Sequence, residues 1–190
     1  MRFFVALLLA FTVVMLSACG SLLANMNMGT IEDPPNTRTI AQIIEDGNIE
    51  TKITVNIHAE NEAYQHSHLE IISYNGYVLL AGQVNDAILK SEATKVARKV
   101  QGVRRIYNEL EIGPPTSALT RTNDAWITTR IKSSLLSNSD IEGTQIKVVT
   151  ENSVVYLMGL VTSKNANLVS DTASSVAGVT RVVRLFEMLD

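Results

Sequence analysis

Leu69-Glu70-Ile71-Ile72-Ser73-Tyr74-Asn75-Gly76-Tyr77-Val78-Leu79-Leu80-Ala81-Gly82-Gln83-Val84 and Ile146-Lys147-Val148-Val149-Thr150-Glu151-Asn152-Ser153-Val154-Val155-Tyr156-Leu157-Met158-Gly159-Leu160-Val161 are one pattern written twice, 77 residues apart. In each, a β-rich run enters a tight turn and a second apolar run leaves it. The turns are Asn75-Gly76 and Asn152-Ser153. Asn-Gly between apolar runs is a hairpin signal, because both central residues of the favoured two-residue turn need φ > 0. Self-similarity over this distance implies two copies of one fold.

The repetition extends on both sides. Upstream, Ile49, Ile53 and Ile57 match Ile127, Ile131 and Leu135 at an offset of 78. Apolar residues at i, i+4 and i+8 predict an amphipathic helix, and in the second copy Asn123 or Asp124 is placed to cap it. Downstream, Leu89, Ala93, Val96, Ala97 and Val100, and then Ala166, Val169, Ala173 and Val176, predict a second helix per copy. Gly102 and Gly178 follow where a helix end favours a left-handed residue. A last strand closes each copy, over Val103 to Glu111 and Val179 to Met188. The order is αββαβ twice. The fold class is α+β, with each unit a small three-stranded mixed sheet packed on two helices. Ile40, Ile43 and Ile44 read as a short extra helix before the first copy. Consecutive prolines in Gly113-Pro114-Pro115-Thr116-Ser117 stiffen the connection and predict a fixed relation between the units.

The N-terminus carries an address. Arg2 precedes an uncharged apolar run from Phe3 to Leu16. As a helix this run reaches only ~20 Å, against a bilayer core of ~30 Å, so it reads as a signal peptide rather than a membrane span. Leu16-Ser17-Ala18-Cys19 then resembles a bacterial lipobox. That resemblance implies cleavage before Cys19, diacylation of its thiol and acylation of the new amine. Cys19 is the single cysteine of the chain, which rules out an internal disulfide framework. Gly20 stands where Asp would favour retention in the inner membrane, so the resemblance implies the outer membrane. The organisation is then signal peptide 1–18, tether 19–37, first unit 38–113, linker 114–118 and second unit 119–190.

The αββαβ order, the glycine after the second strand (Gly82, Gly159) and the Gly-Val pair before the third (Gly102-Val103, Gly178-Val179) resemble the BON domain. Two such units behind a lipobox are similar to the dual-BON outer-membrane lipoproteins. The run Asn123-Asp124-Ala125-Trp126-Ile127-Thr128-Thr129-Arg130 strengthens that likeness. The resemblance implies a periplasm-facing lipoprotein whose second unit binds anionic phospholipid through its first helix. It further implies a contribution to envelope integrity and recruitment to division sites.

Composition excludes several alternatives. The formal net charge is −3, and loss of Arg2 makes it one unit more acidic, which is no nucleic-acid footprint. No cysteine remains for catalysis once Cys19 is acylated. The three histidines, His58, His66 and His68, all lie in the first copy. His66-Ser67-His68 has a spacing used by metal sites, but only Glu60, Glu62 or Glu70 stands near, and a solvated loop is the simpler reading. No phosphate-binding glycine loop or nucleophile elbow occurs. The reading is of no enzyme, no metal and no cofactor.

The copies differ on one face. At ~100° per residue, Ile127, Ile131, Ser134 and Leu135 share the side facing the sheet. Trp126 and Leu136 point away from it, with Thr129 and Ser133 between them and Arg130 and Lys132 flanking. In the first copy Trp126 is replaced by Asn48, Lys132 by Thr54 and Leu136 by His58, leaving a polar outer face apart from Val55. Two readings stand for the Trp126 face. One is packing on the first copy or on a partner, such as outer-membrane assembly machinery. The other is a membrane interface, where an indole sits at the headgroup boundary and cations attract phosphates. Charge favours the second. Residues 117–190 hold seven basic and seven acidic side chains, whereas residues 38–113 hold eight and ten. Leu160 and Val161, after Gly159, are expected near the same surface.

Overall fold

The computed structural model describes residues 36–190. The signal peptide, Cys19 and most of the tether lie outside these residues. The first repeat contains helix α1 (Ile40–Glu60), a 3-10 turn (Glu62–His66), strands β1 (His68–Tyr74) and β2 (Tyr77–Val84), helix α2 (Ala87–Arg98), and strands β3 (Arg105–Asn108) and β4 (Glu111–Ile112). The second contains α3 (Ala118–Ser137), a 3-10 turn (Gly143–Gln145), β5 (Lys147–Glu151), β6 (Val154–Met158), β7 (Leu160–Val161), α4 (Ser163–Ser174), β8 (Arg181–Arg184) and β9 (Glu187–Met188). The αββαβ order is present in both.

Each hairpin closes on two residues with φ > 0. Asn75 and Gly76 sit at 52° and 74°, and Asn152 and Ser153 at 51° and 62°. The turn sets the register, so that Tyr74 faces Tyr77 and Glu151 faces Val154. The third strand runs parallel to the second in both repeats, pairing Tyr77 with Arg105 and Val154 with Arg181. A parallel return needs a crossover, and α2 and α4 supply it.

The final strands are not continuous as expected. Each ladder opens for two residues, Glu109–Leu110 and Leu185–Phe186, and resumes in register at Gln83↔Glu111 and Leu160↔Glu187. In the first repeat the neighbouring strand departs from regular geometry at the same level. Gly82 has φ 107°, which takes β2 out of the β region, and a Cβ there would lie 2.1 Å from the carbonyl oxygen of His68. Gly159 holds the matching position between β6 and β7. Leu110 uses the opening to turn into the helix-side core of its repeat, as Phe186 does in the other.

The helix stripes do what their spacing implies. Ile49, Ile53 and Ile57 are fully buried in the first core, and Ile127, Ile131 and Leu135 in the second. Two details of the helices differ from the sequence reading. Ile40, Ile43 and Ile44 form no separate helix. They are the first turns of α1, capped by a Thr39–Gln42 box, and all three stay exposed. Nor do Asn123 and Asp124 cap α3. Ser117 does, accepting a hydrogen bond from the Thr120 amide.

Asp124 has another task. It is buried two turns inside α3 and accepts hydrogen bonds from the Asn152 and Ser153 amides, both at 2.9 Å. Asp46 does the same in α1. It accepts from the Asn75 and Gly76 amides at 2.8 and 2.9 Å, from the Ser73 hydroxyl at 2.7 Å and from Arg38 at 2.7 Å. Burial raises the Asp46 pKa, but these hydrogen bonds outweigh it and the net shift is downward. Each helix therefore holds its hairpin turn by one carboxylate.

The two sheets pack against each other on the faces that the helices leave open. Tyr74, Leu79 and Ala81 of the first repeat share a buried cluster with Val149, Val154, Tyr156, Met158 and Leu185 of the second. The layering is helices, sheet, sheet, helices. This arrangement explains why Val78–Ala81 and Val154–Met158 are continuous apolar runs, since strands buried on both faces do not alternate. Polar links surround the seam. Arg104 forms a bidentate pair with Glu187 at 2.8 and 2.6 Å, and the Tyr74 hydroxyl donates to the Gln145 carbonyl at 2.7 Å. Gln83 donates to buried Glu151 at 2.8 Å. The Thr116 amide donates back to Gln83 at 3.0 Å, which fastens the linker to the seam.

Candidate lipid-facing site

α3 presents its outward side through residues that its buried stripe excludes. Trp126 is 48% exposed and Leu136 62%. The Arg130 guanidinium lies 5.3 Å from the Trp126 ring centroid, one helical turn on. That is a cation–π distance, and it holds the cation beside the indole on the same surface. A groove of about 640 Å³ runs alongside, bounded by Trp126, Arg130, Ser133 and Ser137 of α3 and by Ser175 and Val176 beyond α4. None of the residues lining it is acidic. Its chemistry is one indole, one cation and small hydroxyl side chains. That suits an anionic group beside an apolar surface.

The expected site residues divide. Trp126, Arg130 and Ser133 line this groove. Thr129 and Lys132 face another cavity, at the seam between the repeats, together with Arg121, His68 and Glu70. Leu136 is exposed near the end of α3. The hydroxyls have less to offer than their position suggests. Thr129 donates to the Ala125 carbonyl at 2.8 Å and Ser133 to the Thr129 carbonyl at 2.9 Å, so both protons are used within the helix. The donors left on the Trp126 groove are the Arg130 guanidinium and the indole N–H, while Lys132 serves the seam cavity.

Leu160 and Val161 do not join the Trp126 surface. Val161 is 4% exposed inside the second helix-side core, and Leu160 packs on the layer between the sheets. The short β7–β9 pairing points their side chains to opposite faces of the sheet, and both faces are covered. Leu119, by contrast, belongs to the exposed face. It is 79% exposed and lies seven residues before Trp126, roughly 20° away on the helix. The sequence signal was that i, i+7 spacing, hidden because α3 begins earlier than its caps suggested.

The first repeat lacks this arrangement at the equivalent place. Asn48 replaces the indole, and His58 stands for Leu136, with its Nδ1 2.8 Å from the Thr54 carbonyl oxygen. On α1 the exposed apolar residues are Ile40, Ile43 and Ile44 at its start and Val55 further along, with Ile88 and Ile112 exposed elsewhere in the repeat. The outer face of the first repeat is thus less uniformly polar than expected. No helix among the described residues is long and apolar enough to cross a membrane.

Known proteins are similar to this chain over most of its length. An outer membrane lipoprotein, DolP, of Haemophilus influenzae is 37% identical over 153 residues, which is 80% of this chain and 79% of that protein. A 21 kDa hemolysin of Actinobacillus pleuropneumoniae is 32% identical, across 80% of this chain and 78% of that one. The osmotically-inducible protein Y of Escherichia coli is 27% identical across 90% and 87%. The BON domain matches at residues 45–114 and again at 123–190, the two repeats just described. With both αββαβ units accounted for, this chain belongs to the BON family and carries two copies of its domain.

Proposed function

We propose that this outer-membrane lipoprotein is held at the membrane by acylated Cys19 and touches anionic phospholipid headgroups through the outer face of α3. The observation that carries the reading is Trp126, half-exposed and stacked by Arg130 beside a groove without acids. An indole is favoured at the headgroup boundary, and each nearby cation contributes ~1 kcal/mol at an anionic surface. Leu119 and Leu136 add apolar area to the same helix. The relation to a lipoprotein of the outer membrane supports the location and a role in the envelope. The contact need not be strong, because a lipid anchor already supplies a high effective concentration. Envelope integrity and recruitment to division sites are the wider roles that this reading carries. The chain acts as a binding module rather than an enzyme.

The test uses the mature chain with Cys19→Ala, so that only the folded surface binds. Sedimentation with vesicles containing anionic lipid should carry the chain down, and purely zwitterionic vesicles should not. Trp126→Glu should abolish the binding. Equal binding to both vesicle types, or binding that survives Trp126→Glu, rules the proposal out.

A second reading has its own observation. Ile40, Ile43 and Ile44 stand exposed together at the start of α1, a surface suited to a protein partner such as outer-membrane assembly machinery. In that reading Ile43→Glu, and not Trp126→Glu, removes function in cells.

A further inference from the structure

We propose that His68, Glu70 and Glu151 form a zinc site on the seam between the two repeats. His68 and Glu70 are two residues apart on β1 and so share its face toward the second repeat. Glu151 ends β5 and approaches from the other side, buried. One donor atom from each residue lies within 4.8 Å of the others.

The geometry has the right scale. The His68 Nε2 and Glu151 Oε2 atoms are 3.3 Å apart. Two ligands bonded at ~2.0–2.1 Å to a tetrahedral zinc are separated by ~3.3–3.4 Å. A carboxylate oxygen of half-buried Glu70 lies within 4.8 Å of both donor atoms. Zinc fits the donor set better than the common hard cations do. One imidazole and two carboxylates supply three ligands, whereas calcium takes six to eight oxygens.

Glu151 is also oriented as a metal ligand needs. Its Oε1 accepts from Gln83 at 2.8 Å and from the Thr116 hydroxyl at 3.3 Å, which leaves Oε2 directed at His68. Outer hydrogen bonds of this kind fix first-sphere ligands. The charges point the same way. Glu70 and Glu151 bring two carboxylates together from opposing repeats, and a divalent cation bound by both answers their repulsion. The fourth position opens on the seam cavity of about 470 Å³. His66 takes no part, since it is exposed at the end of the 3-10 turn before β1. Because the ligands come from both repeats, the metal joins them.

The experiment is a zinc titration of the mature Cys19→Ala chain by calorimetry, with thermal unfolding read in parallel. One zinc should bind per chain and raise the unfolding midpoint by several degrees, while magnesium does neither. His68→Ala should weaken zinc binding at least about tenfold, consistent with the loss of a ligand. Glu70→Gln, at a half-exposed position that tolerates change, should weaken it as well, and His66→Ala should leave it unaltered. X-ray absorption of the zinc-loaded chain should show one imidazole and oxygen ligands. Absence of saturable binding, retention of full affinity in His68→Ala, loss of it in His66→Ala, or a first shell without imidazole would overturn the proposal. None of these outcomes touches the vesicle test.

Discussion

Asp46 and Asp124 stand 78 residues apart in the chain and occupy the same place in its two repeats, each buried inside a helix and each accepting both amides of the neighbouring hairpin turn. The turn amides face the partly buried junction of helix and hairpin. A carboxylate there takes two donors at once and ties the helix to the turn.

Asp124→Ala should therefore cost about 1–3 kcal/mol, the penalty for buried donors left unmet. Asp46→Ala should cost more, because Ser73 and Arg38 also lose their acceptor. Urea unfolding of the two variants beside the parent measures both, and equal losses would contradict the ordering.

The same carboxylate gives a pH signature. The folded-state pKa of Asp46 lies below its ordinary value of 3.8. A depressed carboxyl stabilises the fold above its unfolded pKa and loses that contribution as pH falls through the folded value. Stability of the parent should decline below about pH 4 by this route. Asp46→Asn should be less stable at neutral pH and flatter across that acid range in denaturant titrations.

Ser153 carries φ 62° without being glycine. Its counterpart in the first repeat is Gly76, at 74°. A side chain in the left-handed region costs roughly 1 kcal/mol. Ser153→Gly should raise stability by about that much, with the same urea slope, since the turn amides still meet Asp124.

Arg130 offers a graded test of the lipid-facing surface. Arg130→Ala removes one cation and the group stacked on Trp126. At ~1 kcal/mol per cation, binding to anionic vesicles should fall about fivefold and its salt dependence should shrink. Indole fluorescence on vesicle titration reports both.

Acylation is checked at the N-terminus itself. Mass spectrometry of the mature chain should find Cys19 first and carrying three acyl chains. Cys19→Ser should leave the protein unacylated and free of the membrane fraction.

Much of the fold is legible in the sequence. The duplicated hairpins, the helix stripes and the left-handed glycines Gly102 and Gly178, at 90° and 93°, follow from local rules. Trp126 was legible as an outward residue because a regular helix fixes angles from sequence alone. What escaped depended on contacts between distant segments. Asp124 sits at a plausible capping position, and only the location of the hairpin reveals its use. Val161 lies two residues beyond Gly159 in a two-residue strand, so its burial depends on the β7–β9 pairing. Glu151 lies 81 residues from Glu70, and no spacing rule links residues so far apart. The sequence predicts that each sheet packs on its two helices alone, and the second covered face of β2 and β6 emerges only from the packing between the repeats.

The layer between the sheets has one more consequence. Tyr74, Leu79, Val154 and Tyr156 would be bare on either half made alone, so a single repeat expressed by itself should be sticky and should pair with its own kind. The molecule is best compared to a dimer whose subunits were fused. The Pro114-Pro115 crossing then serves less as a spacer than as a guarantee of one-to-one stoichiometry. A protease that nicks it should leave two fragments that still migrate together until denaturant separates them.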